Sequence, residues 1–144
     1  MKLFIDGDGC PVVDACVQLC NQYQIECFLI CDTSHDYQMD DVEVCYVDKG
    51  KDCSDFEILK RCDKLDIVVT QDYGLAALAL AKGTVVLHPN GFEYDKDNIL
   101  RLLTQRGYSK KYNRYQHMRK RNKDLDLIFM KLLEDKLLEV SFYD

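Results

Sequence analysis

Short apolar runs alternate with stretches whose apolar residues recur every three or four positions from Lys2 to Leu87. That alternation is the mark of a parallel sheet whose strands are joined by helices. The pattern predicts strands at Lys2–Asp6, Glu26–Cys31, Glu43–Val47, Asp66–Thr70 and Thr84–Leu87. A helix is expected to begin at Pro11, whose fixed φ and missing N–H suit a first turn, with Val12, Ala15, Cys16 and Leu19 on its apolar face. Two more are expected over about Ser54–Cys62 and Tyr73–Lys82, the second closed by Gly83. The polar stretch Asp32–Asp41 reads as a loop. Beyond Leu87 the alternation stops, and HPNGFEYD reads as a turn-rich connection. Asp95 can cap a helix running to about Gln105 and closed by Gly107. A last helix over about 115–139 carries Leu125, Ile128, Phe129, Leu132, Leu133 and Leu137 at helical spacing, a stripe that reads as core.

With no internal repeat and 144 residues, the chain is expected to be one domain, residues 1–144. Its predicted architecture is an α/β sandwich, a central, mostly parallel five-stranded sheet flanked by helices. Apolar content of 47% with 31% charged residues is ordinary for a globular chain. No apolar run is long enough to span a membrane, and a carboxylate at Asp6 is out of place in a signal-peptide core. The 8 cysteines include no Cys-x-x-Cys pair, and several lie inside apolar runs (ECFLIC, VEVCYV). They read as reduced, buried thiols of a cytoplasmic protein.

Charge divides the chain. Residues 1–100 hold 8 Lys/Arg against 19 Asp/Glu, a net of −11, whereas residues 101–144 hold 11 against 6, a net of +5. The segment 106–123, RGYSKKYNRYQHMRKRNK, is basic without a single acid. Lys110, Lys111, Arg114, Arg119, Lys120 and Arg121, interleaved with Tyr108, Tyr112 and Tyr115, suit single-stranded nucleic acid: cations for phosphates, aromatic faces for unstacked bases. The plainer alternative is a solvated face that pairs with the protein's own acids.

The acids of the first part are not scattered. In open α/β sheets ligands bind beyond the carboxyl ends of the strands. Asp6 ends the first predicted strand with Asp8 just after it, Asp72 follows the fourth, and Asp52 and Asp55 lie where a loop enters a helix. Carboxylates brought together raise a pKa or call for a cation. An all-oxygen donor set favours Mg²⁺ or Mn²⁺, which would activate water and screen a phosphodiester. Each acid also has a purely structural alternative: Asp72, Asp52 or Asp55 as a helix N-cap, Asp8 in a turn before Pro11. Thr70 and Gln71 could orient water or phosphate, or only close a strand end. Cys10 lacks the nearby arginine that a cysteine phosphatase needs, so packing is the better account of it.

Strand-Asp-x-Asp-Gly is also similar to the opening of haloacid-dehalogenase-type phosphatases, in which Asp6 would be the nucleophile and Asp8 the general acid/base. Thr70 and Lys82 could stand in for later motifs, but TVVLHPNG lacks the acidic pair of the last one.

A more specific resemblance emerges from four ordered motifs: DGDGCPV, GKDCSDFEI, DIVVTQDYGLAALALAKG and LHPNGFEYDKDNI. Across about residues 1–106 they resemble the YaiI/YqxD family of bacterial proteins. Gly7 and Gly9 replace alanines of that family's opening, Phe56 stands where an acid is usual, and Asn90 where arginine is common. The resemblance implies a PIN-like domain, a fold many of whose members are Mg²⁺- or Mn²⁺-dependent ribonucleases. It implies Asp6, Asp55 and Asp72 as metal-binding and catalytic acids, with Asp8 and Asp52 supplementary. The expected activity is therefore hydrolysis of RNA or DNA phosphodiesters, and the alternative is a non-catalytic nucleic-acid- or protein-binding module on the same fold.

Overall fold

The first strand, β1 (Lys2–Asp6), is buried from both sides, with Leu3 and Ile5 in one apolar cluster and Phe4 in the other. An unbroken apolar run gives this result when it lies centrally in a parallel sheet. The computed structural model describes residues 1–7, 9–32, 41–50, 52–105 and 121–141. Asp8, most of the predicted loop, Lys51 and the basic residues from Arg106 to Lys120 lie outside them, as do Gly107 and the first part of the expected last helix. After β1 come α1 (Val13–Gln22), β2 (Glu26–Asp32), β3 (Glu43–Val47), α2 (Cys53–Arg61), β4 (Ile67–Val69) and α3 (Tyr73–Ala81). The chain continues with β5 (Val85–His88), β6 (Phe92–Glu93), α4 (Lys96–Thr104) and α5 (Lys123–Ser141).

The sheet order is β3-β2-β1-β4-β5-β6, with β1 to β5 parallel and β6 antiparallel to β5. The mostly parallel sheet is the one predicted, but it has six strands rather than five. Gly91, at φ 96°, turns the chain so that Phe92 and Glu93 fold back onto His88 and Leu87. Two residues are too few for an alternating pattern to show.

Two helix starts differ from the sequence-based expectation. Pro11 and Val12 form a turn, and α1 begins at Val13. Among the described residues α5 begins at Lys123, because the Asn122 side chain accepts from the Asp124 N–H at 2.9 Å and caps the helix there. Asp95 caps α4 as predicted, in a reciprocal capping box with Asn98.

Helices cover both faces of the sheet. On one side α1 and α5 close over Leu3, Ile5, Leu29, Ile67, Val69 and Leu87. On the other, α2, α3 and α4 close over Phe4, Ile30, Val68 and Val86. The α5 stripe is core at Phe129, Leu133 and Leu137, whereas Ile128 is half exposed and covers Gly91. A Cβ on Gly91 would stand 3.2 Å from the Phe129 nitrogen, so the 89–91 turn and α5 fit only with glycine there. All eight cysteines are free thiols, and Cys16, Cys20, Cys27, Cys31 and Cys62 are buried as expected. Among the described residues no helix is long and apolar enough to cross a membrane.

Candidate functional site: carboxylates at the reversal of strand order

The order of the strands decides where a site can form. From β1 the chain builds outward through β2 and β3, then returns to place β4 and β5 on the other side of β1. Connections leaving the carboxyl ends of β1 and β4 therefore diverge and leave a crevice between them. The pairing of Ile5 with Val69 brings Asp6 beside Thr70 at its mouth.

Thr70 is 1% exposed, and its hydroxyl joins two acids that are far apart in sequence. The Oγ1 donates to Asp6 Oδ2 at 2.8 Å and accepts from the Asp72 N–H at 2.9 Å. Asp72 is the N-cap of α3, its Oδ1 accepting from the N–H groups of Gly74 at 2.8 Å and Leu75 at 3.2 Å. The capping alternative thus holds for Asp72, yet it does not remove the residue from the crevice. Asp55, in the first turn of α2, lies within hydrogen-bonding reach of it.

Burial is the largest effect on the Asp55 carboxyl, followed by the charges of Asp72, Asp6 and Asp52 and a hydrogen bond with Asp72; together they push its pKa up to about 7. Asp52 occupies the N-cap position of α2 at φ 69° but makes no capping hydrogen bond with its side chain. An aspartate in left-handed backbone is uncommon, and it leaves this carboxylate exposed beside the cluster.

The carboxylates meet pairwise, Asp55 with Asp72 and Asp6 through Thr70. Among the described residues no three acid, histidine or cysteine side chains are grouped to share one ion, and Asp8 lies outside that set. Mg²⁺ binds through one or two carboxylates and keeps several waters, so this oxygen-donor set fits it. The Cys10 thiol is pushed up to about 11, by burial above all and by the charge of Asp6, and stays protonated in the metal-free protein.

Other predicted site residues have different places. Gln71 donates from Nε2 to the Gly9 carbonyl at 2.9 Å and tethers the loop after β1. Lys82 is the C-cap of α3, at the far end of the helix from Asp72, and its ammonium donates to the Leu59 carbonyl. It cannot serve Asp6, which removes the phosphatase-like reading's lysine. Arg121, expected among the nucleic-acid-binding cations, is engaged within the protein. It pairs with Asp126 at 2.6 Å and donates to Asn90 Oδ1 at 2.9 Å and to the Pro89 carbonyl at 2.6 Å. Lys110, Lys111, Arg114, Arg119 and Lys120 lie outside the described residues.

Two residues escaped the sequence reading. His88 ends β5, and its Nδ1 accepts from the Asn90 N–H at 2.9 Å. Burial, with the Arg121 charge behind it, lowers its pKa to about 4, so it stays neutral. Tyr94 is fully buried and donates from its hydroxyl to the Thr70 carbonyl at 3.0 Å. The alternation of Phe92 and Tyr94 after a Gly turn was the available signal.

The raised pKa of Asp55 has a measurable consequence for stability. The neutral Asp55 carboxyl is favoured in the fold, so the unfolded chain binds fewer protons between about pH 4 and 7. The contribution of this group is therefore fully present below about pH 4 and lost as pH rises through about 7. Asp55→Asn, a permanently neutral mimic, is expected to stabilise the protein at pH 8 by about 1–2 kcal/mol, a range held down by water screening of the half-exposed group. Urea midpoints at pH 5 and pH 8 check this, and an equal gap at both would contradict it.

Fold and site together define an α/β protein with an acidic crevice at its strand-order reversal. The chain belongs to the family described as "Uncharacterized BCR, YaiI/YqxD family", whose pattern matches residues 4–139. A UPF0178 protein of Natranaerobius thermophilus is 38% identical over 145 residues, covering 98% of this chain and 99% of the relative. Another UPF0178 protein, from Bacillus cereus, is 45% identical over 109 residues, 74% of this chain and 75% of the relative. Among solved structures, Rae1 (YacP) from Bacillus subtilis aligns over 96% of this chain and 99% of its own at 16% identity, with a TM-score of 0.43, a likeness too distant to build on.

Proposed function

We propose that the protein is a PIN-like, Mg²⁺- or Mn²⁺-dependent nuclease that hydrolyses RNA or DNA phosphodiesters in the crevice between β1 and β4. The observation that carries the reading is the half-buried Asp55 carboxyl, within hydrogen-bonding reach of Asp72 and with its pKa pushed up to about 7 by burial first and then by the charges of Asp72, Asp6 and Asp52. A cation relieves this repulsion, and a structural role alone gives no reason to build it. Asp6 and Asp72 would hold the ion, with Asp55 completing the set and giving up its proton on loading. A bound Mg²⁺ or Mn²⁺ supplies charge neutralisation at the phosphodiester and a more acidic water. Thr70 fixes the two anchoring acids, and the basic segment that includes Lys110, Lys111 and Arg114 supplies phosphate contacts.

A second reading, a binding module without catalysis, draws on Phe56, which is 70% exposed where the family has an acid. Calorimetric titration with Mn²⁺ separates the two. The wild type is expected to bind saturably and Asp6→Asn/Asp72→Asn to lose that binding; Asn at residue 72 still caps α3, so the loss reports the site and not the fold. A wild type that binds no Mn²⁺, with or without a short single-stranded oligonucleotide, would overturn the nuclease reading and favour the module.

A further inference from the structure

The Asp6 carboxylate comes from the end of β1 and that of Asp72 from the N-cap of α3, and something must fix their separation. Thr70 sits between them with each of its polar groups paired. Its N–H donates to the Leu87 carbonyl at 3.1 Å, its hydroxyl serves Asp6 and Asp72, and its carbonyl accepts from Tyr94. The first three partners lie on β1, β5 and the start of α3. The fourth reaches in from beyond β6.

Tyr94 is built as a rigid arm. Its own N–H donates to the Val86 carbonyl at 2.9 Å, which pins its backbone to β5. Its ring lies among Tyr73, His88 and Phe92, with centroids 6.1, 5.9 and 5.3 Å away. Packing on these sides leaves the ring one orientation, and the hydroxyl at its end meets the carbonyl of residue 70. Burial, above all, raises the pKa of this phenol, with the Tyr73, Asp72 and Asp6 charges adding to it, so the group is a proton donor throughout the working range. A side chain wanted only for its volume could have been phenylalanine, as at Phe92.

We infer that Tyr94 is a positioning residue for the carboxylate site: through the Thr70 peptide its hydroxyl sets the spacing of Asp6 and Asp72, and so the affinity of the site for a divalent cation. This rests on the metal-site reading for its functional consequence, but the positioning itself is a property of the metal-free protein. Without the hydroxyl the buried Thr70 carbonyl loses its partner in a low-dielectric setting, and the peptide can tilt. The Oγ1 contacts to both acids then loosen together.

The test compares Tyr94→Phe, Thr70→Val and Thr70→Ser with Ile67→Val, a core change at the opposite end of β4 that lowers stability without touching the site. Amide hydrogen exchange in the absence of metal is the first readout. In Tyr94→Phe the Asp72 N–H is expected to exchange at least about tenfold faster relative to the Leu29 N–H of the central sheet. Mn²⁺ calorimetry is the second: Tyr94→Phe and Thr70→Val are expected to weaken binding about tenfold, whereas Thr70→Ser, which keeps the hydroxyl, stays close to wild type. If Tyr94→Phe matches Ile67→Val in both measurements, Tyr94 only packs and the inference is wrong. If the wild type binds no Mn²⁺, the metal reading fails, and Asp72 exchange alone still decides whether Tyr94 positions the acids.

Discussion

Asp6→Asn is expected to lower Mn²⁺-dependent cleavage of a short single-stranded RNA by at least about 100-fold, close to 3 kcal/mol of lost transition-state stabilisation. The substitution keeps the shape of the side chain and an oxygen that can accept from Thr70 Oγ1, which now lies 2.8 Å from Asp6 Oδ2. It removes one unit of negative charge, and so weakens the attraction of the site for a cation. Affinity for the same RNA at low salt should change by less than about twofold, because that term comes from phosphate contacts by basic residues. Cleavage by the wild type that survives in Asp6→Asn would place the reaction elsewhere. The rival binding module differs in showing no cation-dependent turnover in either protein.

Phe129→Ala is expected to cost about 3–5 kcal/mol, a large part of the total stability of a domain of this size. Phe129 has 0% exposure and anchors α5 together with Leu133 and Leu137. Its removal opens a cavity in the core cluster that it shares with Leu3, Ile5, Leu29 and Leu133, under the helix whose backbone at residue 129 abuts the Gly91 turn. The same helix is tied to β6 by the Lys136–Glu93 ion pair at 2.5 Å. Loosening α5 should therefore also loosen the 88–91 turn beside the crevice. Leu127, 67% exposed on the same helix, is the control: Leu127→Ala should move the urea midpoint by the equivalent of less than about 0.5 kcal/mol. Equal effects at the two positions would mean that α5 does not dock as described.

The contrast between Phe129 and Leu127 on one helix shows what periodicity can and cannot supply. The spacing of Leu125, Ile128, Phe129, Leu132, Leu133 and Leu137 marks a helix with an apolar side, yet Ile128 is 51% exposed while Phe129 is fully buried. Neighbours one residue apart on a helix point about 100° from each other, so the edge of the stripe depends on what covers it. Strand β6 was hidden for a different reason: Phe92 and Glu93 acquire their strand character only by pairing with β5.

Local chemistry by itself determined the strands β1 and β3, the Asp95 cap of α4, the Gly83 end of α3 and the candidacy of Asp6, Asp55 and Asp72. Each depends on a few adjacent residues whose preferences agree. What only the tertiary structure decided is which of these groups meet. The reversal of strand order between β1 and β4 puts Asp6 next to Thr70, across 64 positions of sequence. Arg121 is tied to Asn90 and Asp126, and the Tyr94 hydroxyl is carried to the Thr70 carbonyl. Those outcomes depend on sheet topology and on the geometry of packed rings. Neither leaves a mark in the spacing of residues along the chain.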